Sequence, residues 1–185
     1  LRWSDVDFDE RLIEVYGKSR EYETAPFPAS VHSVLERWYE FLEPPTDEWP
    51  VFPTGHYGSK EGVLIDALGA ETVNAALEDR GSEGKTAVLD RLHREYEVPP
   101  PSISKEGVRR LMKRLTDEAN IEPDGDYDYL TLHGARRALG RDLYASGMSE
   151  KAQEALRHNS IETTHEAYSD LSMKDVSDTI DDVRG

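Results

Sequence analysis

The chain has 185 residues, enough for one domain with a real hydrophobic core, so folding need not depend on disulfides or a structural metal. Acidic residues exceed basic ones by 38 to 22, and the formal net charge of −16 argues at first against nucleic acid or an anionic membrane as partner. Cysteine is absent, which excludes disulfides, thiolate metal sites and a cysteine nucleophile and makes a cytoplasmic location the default; no apolar run approaches the roughly 18 residues of a membrane span.

Among the cations Arg outnumbers Lys by 15 to 7. With the acidic excess, this suits a surface kept hydrated in concentrated salt and a halophilic source. The chain opens at Leu1, without a methionine, inside what reads as folded sequence, so an upstream segment is expected.

In chain order, the β-rich Leu12 to Tyr16, the turn chemistry of Gly17-Lys18-Ser19 and the stretch from Arg20 to Phe27 predict a β-hairpin with Lys18 at its tip. Ser30 is placed to cap a helix running to about Leu42, with Val31, Val34, Leu35, Trp38, Phe41 and Leu42 at helical spacing; Pro44-Pro45 ends it. Residues 54 to 101 are rich in glycine and close on three prolines, which predicts an inserted, loop-rich helical element with short amphipathic pieces at 72–80 and 86–96. From Ser104 to about Ala119 the pattern is helical again. Val108, Leu111, Met112 and Leu115 share one face, and Lys105, Arg109, Arg110, Lys113 and Arg114 surround it. Three shorter helices are predicted at about 132–146, 149–157 and 161–169, before an acidic tail.

Two segments could carry chemistry. In Leu132 to Tyr144, the residues Ala135, Ala138, Leu139, Asp142 and Leu143 form one stripe. His133 and Arg136, three apart, project together from another side near the helix N-terminus. An imidazole, a guanidinium fork and the positive end of a helix dipole suit a phosphate diester. Spacing alone is better served by a solvated polar face, since charge on a helix surface is usually only solvation. The second segment changes that balance.

That segment is Leu156-Arg157-His158-Asn159-Ser160-Ile161-Glu162-Thr163-Thr164, followed shortly by Tyr168. Together the two resemble the C-terminal boxes of the tyrosine recombinase (phage integrase) family, H-x-x-R and then L-G-H-x-S-I-x-T-T with a following tyrosine. Leu1-Arg2-Trp3-Ser4-Asp5-Val6-Asp7 is similar to the family's L-x-W-x-D-I-D element, and Val15-Tyr16-Gly17-Lys18 to its V-x-G-K hairpin. Val51-Phe52-Pro53-Thr54 resembles its L-F-P-S stretch, and Ser104 to Ile121 the helix before H-x-x-R. The likeness covers roughly residues 1–54 and 102–172.

The resemblance implies a mainly α fold with a small antiparallel β-sheet (α+β). It also implies a single catalytic domain over 1–185, N-terminally truncated, with an insertion at about 54–101. It implies a site-specific recombinase that cleaves and rejoins double-stranded DNA through a 3′-phosphotyrosyl intermediate, without metal or other cofactor. Tyr168 would be the nucleophile, Arg136 the donor to the non-bridging oxygens, and His158 a further donor. His133 would act as acid/base near the nucleophile, Lys18 as general acid for the departing 5′-oxygen. Lys105, Arg109, Arg110, Lys113 and Arg114 would grip the DNA backbone, and the working form would be a tetramer on paired sites. A halophilic archaeon or its virus is the expected source.

This chain departs from the family pattern in places. The family's first arginine, in a G-x-R-x-x-E-L element, would precede Leu1, so the fragment is expected to be catalytically incomplete. Arg137 stands where a histidine is common, Arg157 replaces the glycine of L-G-H, and Tyr168 lies ten positions after His158 where nine is usual.

Other readings are weaker. Gly84-Lys85-Thr86 suggests a phosphate loop, but Asp79 stands where that motif needs glycine. His158 and His165, with Glu162 and Glu166, lack tight metal-ligand spacing. His32, His56 and His93 read as structural or exposed, and Trp38, Trp49 and Tyr39 as core. A non-catalytic DNA-binding relative, an acidic interaction module and a type IB topoisomerase are the alternatives; the integrase-like second box disfavours the last. The net charge also resolves locally: residues 105–114 carry five cations against Glu106, whereas 1–16 hold five acids against two arginines and 169–185 five aspartates against two cations.

Overall fold

The computed structural model describes residues 1–17, 20–123 and 127–156. The chain forms two compact units, Leu1–Val108 and Arg109–Gly185. Together the described residues make a mainly helical α+β structure with one small sheet.

The first unit opens with a 3-10 turn at Trp3–Asp5 and three antiparallel strands, β1 (Val6–Asp7), β2 (Leu12–Tyr16) and β3 (Tyr22–Pro26), in the order β1-β2-β3. Ile13 lies opposite Val6 on one side and Ala25 on the other, and Tyr16 opposite Tyr22, whose rings meet at 5.3 Å. Such β-branched and aromatic pairs are what stabilise short strands. The predicted hairpin is therefore present. Gly17 N donates to Glu21 O at 2.8 Å and Arg20 N to Gly17 O at 3.1 Å, with Arg20 in the left-handed region at φ 65°.

Helix α1 (Ala29–Leu42) starts two residues earlier than its expected cap allows. Pro28 is the N-cap and Ser30 lies inside the first turn, because the Pro28 carbonyl already accepts from Val31 N at 2.9 Å and His32 N at 3.1 Å. Leu35 and Leu42 of α1 join Trp3, Phe27, Trp49 and Val51 in a first core, with Val6, Phe8, Ile13 and Trp38 packed against it. Trp49 is thus core as expected, Trp38 only partly so, and Tyr39 is exposed.

Residues 49–54 tie the unit together through their backbone. Trp3 N donates to Trp49 O and Val51 N to Leu1 O, each at 3.1 Å; Ile103 N donates to Phe52 O and Thr54 N to Pro101 O, each at 2.8 Å. The segment between Thr54 and Pro101 therefore leaves and returns at one place, a connection that costs the surrounding fold little.

That segment is not loop-rich. It contains three helices, α2 (Tyr57–Leu68), α3 (Ala70–Glu78) and α4 (Lys85–Glu95). Gly58 and Gly62 sit within α2, and Gly69, at φ 85°, is the sole residue joining α2 to α3. Packing overrides glycine content: Leu64, Val73, Leu77, Val88, Leu89 and Leu92 form a second core drawn from all three helices. Lys85 and Thr86 open α4 rather than a phosphate loop.

Polar groups join the two cores. The Arg94 guanidinium donates to Leu42 O at 2.5 Å and Glu43 O at 2.7 Å, satisfying carbonyls left unpaired where α1 ends in the left-handed Glu43. Next to it His93 is fully buried and its Nδ1 donates to Val98 O at 2.7 Å; Lys60, also buried, is paired with Asp90.

The second unit takes in most of α5 (Lys105–Glu118), then α6 (Leu132–Ala145) and α7 (Ser149–Leu156). Ser104 Oγ accepts from Gly107 N at 3.0 Å at the start of α5. Gly147, at φ 72°, closes α6: its N donates to Tyr144 O and Met148 N to Leu143 O, both at 2.9 Å. This reversal packs α7 on α6, burying Gly140, Ala152 and Leu156. The predicted stripe of α6 is only partly covered: Ala138 and Leu143 are half-buried, whereas Ala135, Leu139 and Asp142 are exposed. Leu115 of α5 is likewise exposed. The helix predicted at 161–169 lies outside the described residues. Among the described residues, no helix is long and apolar enough to cross a membrane.

Burial pushes His93 below the ordinary histidine value of 6.5, with nearby Lys60 acting in the same direction. Below that pH the unfolded chain binds a proton that the folded chain resists. Stability is therefore full above about pH 6.5 and falls as pH is lowered, by at most about 1.4 kcal/mol per pH unit from this group. Urea midpoints between pH 7.5 and 5.5 should fall in the parent, and His93→Gln should lose less over that interval.

Candidate active site

The residues singled out for chemistry divide between described and undescribed parts of the chain. Arg136 and His133 lie on α6, and the five cations Lys105, Arg109, Arg110, Lys113 and Arg114 on α5. Lys18, His158 and Tyr168 lie outside the described residues. Of Lys18 the structure describes the flanks, Gly17 and Arg20, which close the hairpin turn.

The site is built at the first turn of α6. Thr131 is its N-cap, with extended backbone and a side-chain oxygen accepting from Gly134 N at 2.8 Å. That cap orders the turn carrying His133, whose side chain is exposed beside the positive end of the helix. The approach to the cap is fixed from α5. Thr116, buried in an otherwise charged stretch, donates from Oγ1 to Met112 O at 2.8 Å and accepts from Leu130 N at 3.0 Å. One hydroxyl thus anchors the residue immediately before the cap to the basic helix.

Arg136 follows one turn after His133. Its Nη2 donates to the carbonyl of Leu156, the last residue of α7. A backbone carbonyl is a good acceptor for a guanidinium, whose charge strengthens the bond. The contact brings an α6 arginine onto the point where the chain enters Arg157-His158. Leu156 is the first residue of the second recombinase-like segment, and the bond ties that residue to the H-x-x-R helix.

Arg137 points elsewhere. Its Nη2 donates to the Tyr127 hydroxyl at 2.8 Å, and its guanidinium carbon lies 5.4 Å from the centre of that ring. On α5 all five cations are exposed; Arg114 also pairs with Glu118 at 3.6 Å.

Thr116, Thr131 and Tyr127 were missed by sequence reasoning. For Thr131 a signal existed, a threonine directly before the H-x-x-R helix with cap chemistry three residues ahead of Gly134. Thr116 and Tyr127 act through contacts 14 and 10 residues away, which no local pattern marks.

The sequence of this chain matches the phage integrase family over residues 1–175. The chain belongs to that family. A curated relative, tyrosine recombinase XerC of Corynebacterium glutamicum, is 22% identical over 172 residues, which is 92% of this chain and 40% of that protein. This integrase-family chain thus spans well under half the length of that relative. No solved structure gives a significant match.

Thr116→Val keeps the side-chain volume but leaves Leu130 N without its acceptor. It should cost about 1–3 kcal/mol and speed hydrogen exchange at the Leu130 amide, whereas Thr131→Ala should cost about 1 kcal/mol and act at Gly134. Equal exchange at Leu130 in parent and Thr116→Val would show that the hydroxyl does not anchor this segment.

Proposed function

We propose that this chain is the catalytic part of a site-specific tyrosine recombinase that cuts and rejoins double-stranded DNA. The observation that carries the reading is the hydrogen bond from Arg136 on α6 to the terminal carbonyl of α7, two residues ahead of His158, in a chain of the phage integrase family. It supports a shared site for Arg136, His133 and His158.

In this reading the Tyr168 oxygen attacks the scissile phosphorus, forming a phosphotyrosyl bond to the 3′ end as the bond to the 5′-oxygen breaks. Lys18 delivers a proton to that leaving oxygen, and His133 handles the proton of the tyrosine. Charge builds on the non-bridging oxygens. Arg136 uses one donor of its fork to reach Leu156, which orients the plane and leaves other donors for phosphate; His158 adds another. The phosphotyrosyl link conserves the bond energy, so a 5′-hydroxyl from another strand reverses the step without cofactor. The exposed cations of α5 hold the DNA backbone, and the working assembly is a tetramer on paired sites in the cytoplasm.

A nicked DNA half-site offered to the full-length protein should give a covalent complex on a denaturing gel. Tyr168→Phe should abolish it. Arg136→Lys should slow its formation by about 10²- to 10³-fold while changing DNA affinity far less. A parent protein that binds the half-site yet never forms the complex would instead identify a non-catalytic relative with the same fold.

The charge of −16 fits a protein working in a salty cytoplasm, as in a halophile, with DNA gripped by a local basic face. DNA binding should then persist at high salt with a shallow slope of log affinity against log salt, and Lys113→Ala should reduce that slope by about one if it meets a phosphate. A steep loss of affinity between low and moderate salt would contradict the halophile reading.

A further inference from the structure

Two neighbouring arginines of α6 are turned apart. Successive residues of a helix point about 100° from one another, and Arg136 and Arg137 follow that angle to different partners, the end of α7 and the Tyr127 side chain. Elsewhere in this acidic chain exposed arginines take carboxylates: Arg2 takes Glu48, Arg91 takes Glu83 and Glu95, and Arg114 takes Glu118. Arg137 takes a phenol instead. Among the described residues no carboxylate pairs with it, so its charge is held in place without being cancelled.

The hold is geometric. A hydrogen bond of 2.8 Å from Nη2 to the Tyr127 hydroxyl and a cation–π contact of 5.4 Å to the ring centre fix the guanidinium against one residue, and most of its fork stays unused. The phenol oxygen accepts from Arg137, so its own proton is free to donate outward, and both residues are exposed. One turn on, Arg141 stands on the same side of α6, exposed as well, and its contact with the adjacent Asp142 is long at 3.9 Å. Like charges at that spacing repel, and an anion lying along the face removes the repulsion. A phosphate diester suits the array: its two non-bridging oxygens accept from a planar fork and a hydroxyl together, and it repeats along a strand, so cations a helical turn apart can meet successive phosphates.

We propose that Arg137 is a DNA-backbone contact, gripping a phosphate other than the one Arg136 serves, and that Tyr127 is the residue that positions it. The inference rests on the recombinase reading and extends it. Arg136 acts on the phosphate that is cut, Arg137 on one that flanks it, so Arg137 contributes to binding and leaves the chemical step alone. Tyr127 sets the guanidinium plane and adds a donor.

The test measures affinity of the full chain for a short mixed-sequence DNA duplex over a series of salt concentrations. Arg137→Ala should weaken binding about tenfold and lower the slope of log affinity against log salt by about one, the signature of one lost phosphate contact. Tyr127→Leu keeps the cation but removes its seat, and should weaken binding about threefold with the slope unchanged. Arg91→Ala removes the same charge from an arginine already paired with carboxylates and should alter neither quantity. Unfolding midpoints should match the parent throughout, since all three side chains are exposed. An unchanged slope in Arg137→Ala, an equal fall in Arg91→Ala, or parental affinity in Tyr127→Leu would each overturn the assignment. On a saturating nicked half-site, Arg137→Ala should form the covalent complex within about twofold of the parental rate; a loss as large as that expected for Arg136→Lys would put Arg137 in the chemistry and overturn the flanking role. Failure of the recombinase reading looks different. A parent that binds no DNA sinks both, whereas one that binds but never forms the complex sinks cleavage alone, and the affinity comparison still decides Arg137.

Discussion

Much of the first unit hangs on the backbone of residues 49–54, a stretch with almost no regular secondary structure. The chain start pairs with it through Leu1 and Trp3, the return from the three-helix segment through Pro101 and Ile103, and Trp38 donates its indole N–H to Val51 O at 2.6 Å. Val51 is fully buried at the centre of these bonds. Unpaired backbone groups are costly away from water, so a buried extended segment must find partners on both sides. Satisfying it sets the position of the small sheet, of α1 and of the helical segment at once.

The helical segment between Thr54 and Pro101 is held at its ends, from within and at one side. Its ends meet at the Pro53–Ser102 bridge, its own core of six buried aliphatic residues holds it together, and Arg94 fastens it to the end of α1. The second unit works by a different economy: α6 and α7 share a compact reversal at Gly147, and much of their apolar surface stays uncovered, as Leu132 and Leu139 show. What order the site needs comes from a few polar contacts, Thr116 to Leu130, Thr131 to Gly134 and Arg136 to Leu156.

A good part of this was legible in the residues. The hairpin at 12–26 and the helices at 30–42, 104–119, 132–146 and 149–157 follow from alternation and from 3.6-residue periodicity, and each lies within a residue or two of its observed bounds. The misreadings have physical causes. Six glycines made 54–101 look irregular, yet two of them are carried inside α2 because burial of Leu64 outweighs their helix cost. Ser30 has cap chemistry, but Pro28 had already turned the chain. The stripe of α6 is a true face, but periodicity shows only that a face is apolar and never what covers it: Ala138 and Leu143 are half-buried and Leu139 is exposed.

By itself the sequence determined the elements and the family-like order of the two boxes, because helix periods, turn residues and motif spacing are properties of neighbouring positions. It also separated global charge from local charge, since the basic run 105–114 is contiguous. Only the tertiary structure decided that Arg136 reaches the end of α7, that one buried threonine anchors the approach to the H-x-x-R helix, and that Arg137 comes to rest on Tyr127. Those are through-space facts. They depend on helix reversal, burial and the closing of backbone hydrogen bonds between distant segments, which no local pattern encodes.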